Sequence, residues 1–404
     1  MTRWSSGGAR AVVFELEGTD GAARAGWVVT ARGRFATPCF MPVGSRGAVR
    51  LLSAEDLDGL GAEVVLANTY HLMLRPGAKV VASLGGLHGF TGWPGHFLTD
   101  SGGYQVMSLP CSVDDEGVKF RSAYDGSWQR LSPEGAVEAQ EALGSDIAMV
   151  LDVCLSLPAP RQAVVEAGER TLAWAERSLA ARNRPDQLLF GIVQGGTEVD
   201  LREEYARRLG AMGFDGYGIG GLSVGEAPAE TLAALSAALG PLPAGRPRYL
   251  MGVGDPFTLV RAIGLGVDMF DCVLPTRLGR HGTALTSGGK LAVKASRFAT
   301  DGGPVDPACT CLVCRRYSRG YLRHLFNVGE PSAGRLLSLH NLAWLIRLVR
   351  RAREAVLAGS LDELAAEVAE TWASPASYGA RHGARPEPLG WCKLMSGSQA
   401  KGPS

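Results

Sequence analysis

No stretch of this 404-residue chain approaches 18 uninterrupted apolar residues, and residues 1–10 lack the apolar core of a secretory leader. These two absences argue against a membrane-spanning or exported protein and predict a soluble, cytoplasmic one with no membrane partner. Neither sign of charge is in excess. With 41 Lys and Arg against 40 Asp and Glu the formal net charge is +1, so any nucleic-acid role must rest on a local patch. Cysteine is sparse, at eight residues, and nothing places the chain in an oxidising compartment where a disulfide framework would form. Histidine is limited to seven residues with no H-x-H, and only His71 stands near the end of an apolar run. Metal-dependent hydrolases that collect histidines at strand ends are therefore excluded. The segment G-I-G-G-L-S-V-G at 218–225 has the wrong order for either common phosphate-binding fingerprint, and no redox or nucleotide cofactor is expected.

What is present is regular alternation. Short apolar, β-prone runs occur at 39–43, 64–67, 97–99, 147–151, 189–193, 217–219, 249–251 and 269–270. Helical patterns fill most of the gaps, over 53–60, 132–143, 163–182, 199–212, 226–239 and 256–264. Eight such units predict a (β/α)8 barrel of the α/β class rather than an open doubly wound sheet. The segment 11–36 reads as a β hairpin lidding the barrel bottom. The eighth strand is not followed directly by its helix, which is predicted at 334–357. A basic, Gly-rich stretch intervenes, so residues 1–372 form a single catalytic domain with a subdomain inserted at about 277–345. The Gly-, Pro- and Ser-rich segment 373–404 reads as a disordered tail.

That insert carries Cys309, Cys311, Cys314 and, 26 residues on, His340. C-x-C-x2-C with one distant histidine supplies four soft ligands for one tetrahedral zinc, and a fully ligated site is structural. His340 is the least specific of the four, because a histidine in L-L-S-L-H-N-L could equally be a satisfied helix residue. From Arg277 to Arg323 nine Lys or Arg stand against Asp301 and Asp306, with Phe298, Tyr317 and Tyr321 interleaved. Such a patch suits phosphate.

In a barrel of this kind chemistry gathers where the strands end. The residues just past the predicted strands include Asn68, Asp100, Asp152, Gln194, Gly221 and Asp271. Any one of them alone is ordinary turn chemistry. Three carboxylates and an amide converging on one mouth are harder to explain that way. Asp271 and Asp100 could supply a nucleophile and an acid/base partner. Asp152 and Gln194 could read the hydrogen-bonding edge of a flat heterocycle, with Tyr104 or Met251 packing its faces.

The segments N-T-Y-H-L-M-L-R-P-G (68–77), L-T-D-S-G-G-Y-Q-V (98–106), F-G-I-V-Q-G-G (190–196), G-I-G-G-L-S-V-G-E (218–226), Y-L-M-G-V-G (249–254) and D-M-F-D-C-V-L-P-T-R (268–277), with the C-x-C-x2-C…H set, resemble tRNA-guanine transglycosylase, also called queuine tRNA-ribosyltransferase. The likeness runs from about residue 11 to about 372. It implies exchange of guanine at the wobble position of GUN-anticodon tRNAs for a 7-deazaguanine base. By the same likeness Asp271 would be the nucleophile forming a covalent ribosyl-aspartate, and Asp100 the acid/base. Asp152, Gln194, Gly221 and Leu222 would hold the purine, Tyr104 and Met251 would stack on it, and Asn68 and Ser101 would support Asp100 and Asp271. Arg277 and Arg280 would contact the anticodon loop. Homodimerisation is likewise implied. Cys154 and Val224 are similar to bacterial enzymes, which take the aminomethyl base prequeuosine-1, with Glu226 near the aminomethyl group. Yet Val153 replaces the acidic residue of the bacterial D-E-C motif, and R-P-D-Q-L-L-F at 184–190 resembles the eukaryotic subunit, so direct queuine salvage stays an alternative. The absence of an evident further C-terminal RNA-binding domain argues against the archaeal type. A family motif supports His340 as a ligand and places it at the start or cap of the closing helix. From a different class, the competing reading is a non-catalytic, zinc-containing tRNA-binding protein.

Overall fold

A computed structural model describes residues 12–223, 225–373 and 393–394. The eight apolar runs become eight parallel strands: β4 (Cys39–Met41), β5 (Val64–Asn68), β6 (His96–Asp100), β10 (Ile147–Met149), β11 (Leu188–Val193), β12 (Gly216–Ile219), β13 (Arg248–Leu250) and β14 (Met269–Asp271). They neighbour one another in the order β4-β14-β13-β12-β11-β10-β6-β5. The parallel bridge Val43–Leu66 joins the chain just past β4 to β5 and brings the sheet's ends together as a nearly closed barrel. Every residue of β11 is buried, as expected where helices cover the outer face and side chains fill the inside.

The connecting helices start on chemistry visible in the chain. Ser53 accepts the Asp56 N–H in a capping box, Ser132 accepts the Gly135 N–H ahead of Pro133, and Asp255 accepts the Thr258 N–H ahead of Pro256. Each such cap contributes about 1 kcal/mol. The helix that closes the barrel, Pro331–Ala358, runs 28 residues and buries sixteen of them, and a further helix, Leu361–Trp372, follows it.

Three features differ from the sequence reading. The N-terminal unit is a three-stranded antiparallel sheet, β1 (Phe14–Asp20), β2 (Ala23–Thr30) and β3 (Gly33–Thr37), rather than a hairpin. Its Arg24 is buried against Asp268 at the start of β14, and its Arg32 pairs with Asp146 at the start of β10, so it covers the bottom of the barrel. A second antiparallel unit, β7 (Cys111–Asp114), β8 (Gly117–Arg121) and β9 (Trp128–Leu131), is inserted after β6 and was not legible as strands. Within the segment read as a disordered tail, Lys393–Leu394 form β17 on the open edge of β7; nearly all the rest of it lies outside the described residues.

The insert between β14 and the closing helix holds the helix Leu274–His281, the hairpin β15 (Thr283–Thr286) and β16 (Gly289–Ala292), and the helices Leu312–Arg316 and Arg319–Asn327. Among the described residues no helix is long and apolar enough to cross a membrane.

Candidate functional site

Asp100 ends β6, and the strand register sets it level with Asn68 at the end of β5. The Asn68 amide donates to Asp100 Oδ2, while Oδ1 accepts the backbone N–H groups of Thr69 (2.9 Å) and Gly102 (3.2 Å). Burial nevertheless dominates and pushes the carboxyl up to about 6, with the Asp271 charge adding to it against the hydrogen bonds that favour ionisation. The Ser101 hydroxyl accepts the Gly103 N–H (3.2 Å) and so shapes the turn after β6.

Asp271 ends β14. Its Oδ1 accepts the Tyr249 hydroxyl (2.6 Å) and the Gly252 N–H (2.8 Å), and burial raises its pKa against those two donors. Tyr249 went unnoticed in the sequence, since a tyrosine inside an apolar run reads as core, and it is fully buried. Only the neighbouring positions of β13 and β14 place its hydroxyl on the carboxylate.

Asp152 and Gln194 follow the adjacent strands β10 and β11, and the Gln194 amide donates to Asp152 Oδ2 at 2.6 Å. Both side chains are buried, and burial with the nearby Asp100 charge lifts Asp152 to about 6. Two glycines leave room for this pair. A Cβ at Gly221, whose φ is +66°, would lie 2.3 Å from Gln194 Oε1, and one at Gly103 would lie 3.1 Å from Asp152 Oδ1. Met251 Sδ lies over Gly218, where a Cβ would be 3.2 Å from the sulfur. Tyr104 is 62% exposed on the helix Gly103–Met107, directly after the Asp100 turn. Leu222 buries its side chain in the main core and leaves only its backbone for a ligand. The Cys154 thiol is pushed up to about 12 by burial and the Asp152 charge and is held neutral. Val224 lies outside the described residues.

Glu226 is engaged by its own loop. Its carboxylate accepts the Ser223 N–H, the Gly225 N–H (3.2 Å) and the Thr231 hydroxyl (2.6 Å), so it fixes its own loop. A second residue missed in the sequence, Arg202, is fully buried behind that loop and donates to the carbonyls of Val193 (3.0 Å), Gly196 (2.8 Å) and Gly221 (3.4 Å). An arginine on a helix normally reads as solvated. Only the fold turns this one inward.

Arg277 and Arg280 lie on the helix Leu274–His281, directly after Asp271. The Arg280 pKa is lowered by partial burial and by the charges of Arg50 and Arg277. Among the described residues none of the three forms an ion pair, so they make a concentrated cationic edge beside the mouth. Arg50 was passed over in the sequence because 227 residues separate it from Arg277.

Cys309, Cys311, Cys314 and His340 offer ligand atoms that all lie within 4.8 Å of one another, a set that could hold a metal ion. His340 Nδ1 is 3.5 Å from Cys311 Sγ and 3.3 Å from Cys314 Sγ. Its Nε2 lies 2.8 Å from the Leu285 carbonyl; a carbonyl can only accept, so Nε2 carries the proton and Nδ1 presents its lone pair to the cluster. His340 does not start or cap the closing helix. It sits in the third turn, where the helix is buried on the β15–β16 hairpin.

Asp100 makes one expectation about stability. Asp100 has a folded pKa of about 6 against 3.8 when free, so the folded protein binds more protons than the unfolded chain between these values. The resulting penalty, of order 3 kcal/mol, is fully present above pH 6 and is lost as pH falls towards 4. Asp100→Asn removes the charge and keeps the acceptor for Thr69 and Gly102, while the Asn68 amide must turn over so that its oxygen accepts the new NH2. It should raise the thermal midpoint at pH 8, by an increment that shrinks on acidification; calorimetry showing a lower midpoint at pH 8 would contradict this.

The fold and site define a class: a (β/α)8-barrel enzyme with carboxylates gathered at its mouth and a separate Cys3His unit. The family model for queuine tRNA-ribosyltransferase matches residues 20–374. Proteins of that name from Moorella thermoacetica and Thermus thermophilus are each 50% identical, over 87% and 88% of this chain and 95% and 93% of theirs. One from Cereibacter sphaeroides is 51% identical over 87% of this chain and 95% of its own. The chain belongs to the queuine tRNA-ribosyltransferase family, whose members are transferases that act on tRNA.

Proposed function

We propose that this protein replaces guanine at the wobble position of GUN-anticodon tRNAs with the 7-deazaguanine base prequeuosine-1, by double displacement through a ribosyl-aspartate. The observation that carries this reading is the unequal dressing of the two carboxylates. Asp271 Oδ1 is engaged by Tyr249 and Gly252, which aims the second oxygen for attack on the ribose C1′. As the C1′–N9 bond breaks, its electron pair goes to the departing guanine, which takes a proton from Asp100. A carboxyl of pKa about 6 can hold that proton near neutrality and, once ionised, remove one from the incoming base. The new base attacks C1′ and releases Asp271. Two inversions give net retention, as in retaining glycosidases. Asp152 and Gln194 supply acceptor and amide groups for the purine edge, with Met251 and Tyr104 against its faces.

Two observations suit the aminomethyl base. Glu226 accepts the Ser223 N–H, and in a planar trans peptide this turns the Leu222 carbonyl the opposite way, free to accept from an ammonium group. The two departures from the bacterial pattern also avoid the pocket. Val153 packs in an apolar cluster with Leu151, Ala167 and Trp174, and Arg184 and Asp186 pair with each other ahead of the start of β11, at the barrel's bottom.

Zinc suits the Cys3His set, since bonds of about 2.3 Å to sulfur and 2.0 Å to nitrogen in a tetrahedron separate S and N by about 3.5 Å. The 3.3 and 3.5 Å separations agree with that. One bound zinc would join the three loop cysteines to the closing helix and takes no part in the exchange. We further propose a homodimer acting in the cytoplasm.

The test is incorporation of radiolabelled guanine into tRNA, then competition of unlabelled prequeuosine-1 against queuine. Label should enter tRNA, and prequeuosine-1 should displace it at the lower concentration. Better competition by queuine would establish salvage. No incorporation by folded, metal-loaded protein would leave a non-catalytic tRNA-binding protein.

A further inference from the structure

The insert β7–β9 has no part in the proposed base exchange, yet its tip and one face of β8–β9 gather cations and aromatic rings, with its acids Asp114, Asp115 and Glu116 at the β7–β8 turn. At its tip, between β8 and β9, the Tyr124 ring is flanked by two guanidiniums, Arg46 at 5.5 Å and Arg75 at 4.8 Å from its centroid. Among the described residues neither arginine has a carboxylate within ion-pair distance. The acid at the tip, Asp125, accepts the N–H and hydroxyl of Ser127 and feels Arg75 only weakly. Two like charges held on one ring without a counter-ion are left to attract an anion.

The cationic surface continues along the ribbon. Val118, Phe120 and Leu131 are buried, so the alternation of the strands sends Lys119, Arg121 and Trp128 to the solvent face. Arg121 and Trp128 are cross-strand partners, Trp128 is 60% exposed, and Lys119 Nζ lies 5.3 Å from its ring centroid. A large exposed indole beside unpaired cations is a stacking platform with phosphate ligands at its edge.

The tip is fastened beside the catalytic acid. Tyr124 OH lies 2.9 Å from His71 Nδ1, and the Ala123 N–H donates to Tyr70 OH at 3.2 Å. Tyr70 and His71 follow directly on Asn68 and Thr69, which hold Asp100. The surface therefore starts at the mouth and leads away from it.

We infer that the Arg46–Tyr124–Arg75 tip and the Lys119, Arg121 and Trp128 face form a second RNA-contacting surface, which binds backbone phosphates and one unstacked or terminal base beyond the nucleotide in the mouth. This rests on the tRNA reading above. It differs from the Arg50, Arg277 and Arg280 edge in standing on the β5–β9 side of the barrel, so an RNA whose nucleotide enters the mouth is held from two sides.

Binding of fluorescently labelled tRNA, measured by anisotropy over a range of salt, tests it without using the exchange reaction. Arg46→Ala with Arg75→Ala, and Lys119→Ala with Arg121→Ala, should each weaken binding about tenfold at physiological salt. Each should also flatten the log Kd against log salt slope by about 0.7 to 0.9 per lost phosphate contact. Trp128→Ala should weaken binding several-fold with the slope unchanged. These side chains are exposed or lie on the surface ribbon, and an unchanged circular dichroism melt confirms the fold. Wild-type affinity and slope in all three variants would overturn the inference. A changed molar mass in light scattering at unchanged Kd would overturn it too, by making the ribbon a protein-contact surface. Wild-type protein that binds no tRNA would refute the tRNA reading itself, a result distinct from equal binding by wild type and variants.

Discussion

Asp271→Asn should abolish base exchange, by at least about 10³-fold in kcat, and should eliminate any protein–tRNA adduct that survives denaturation. The magnitude follows from what the substitution leaves intact. An asparagine Oδ1 still accepts the Tyr249 hydroxyl and the Gly252 N–H, so the end of β14 and its neighbours keep their geometry. What is lost is the second oxygen as an anionic nucleophile, replaced by an amide nitrogen with no lone pair to offer. Removing a buried charge whose pKa is already raised should not lower stability, so folding does not confound the measurement. Adduct analysis by denaturing gel separates this role from that of Asp100. In Asp100→Asn the leaving base lacks its proton donor, and both adduct and turnover fall together. An adduct in Asp271→Asn of wild-type abundance would show that another group attacks the ribose.

Loss of the metal cluster should have the second largest effect, and it should fall on RNA binding rather than on the base pocket. Cys311→Ser, or prolonged chelation, is expected to release one metal ion per chain by elemental analysis and to weaken tRNA binding about tenfold or more. The reason lies in how the closing helix is seated. His340 and Asn341 are both fully buried. Asn341 donates to the carbonyls of Pro275 and Thr283 and accepts the Leu285 N–H, and the Ser338 hydroxyl donates to the Thr276 carbonyl. These bonds seat the helix that carries Arg277 and Arg280, and Gly279 admits the closing helix so closely that a Cβ there would lie 2.6 Å from Ser338 N. Without metal, three thiols and an imidazole are left crowded within 4.8 Å, the loop 309–314 separates from His340, and the arginines lose their fixed position. The Asp152–Gln194 pair, which follows β10 and β11 across the barrel, is untouched, so the KM for free base should hold. Unchanged metal content in Cys311→Ser would refute the ligand set, and unchanged tRNA affinity after metal loss would refute its coupling to the arginines.

How far the chain could be read depended on whether the signal was local. The eight strands were legible because parallel barrel strands are buried on both sides and stand out as apolar runs between helix-capping residues. The ribbon β7–β9 was not, because half of each strand faces solvent and its segments, such as C-S-V-D and W-Q-R-L, are short and polar. Asp100, Asp152, Gln194 and Asp271 could be proposed because a barrel places strand ends together whatever their order in the chain. Tyr249, Arg202 and Arg50 could not, since each has an ordinary reading until its neighbours in space are known. The contacts of Glu226 were likewise out of reach of the sequence: its carboxylate accepts from Ser223 and Thr231 of its own loop.

By itself the sequence determined the barrel, the spacing of the metal ligands and the residues at the mouth, because period, caps and ligand spacing act over a few residues. Only the tertiary structure decided what those residues experience. Burial raises Asp100 and Asp152 to about 6, a peptide plane and a hydroxyl occupy one oxygen of Asp271, and two arginines come to flank a tyrosine 49 and 78 residues away in the chain. Desolvation and the approach of distant charges depend on three-dimensional distance, which residue type and spacing along the chain do not contain.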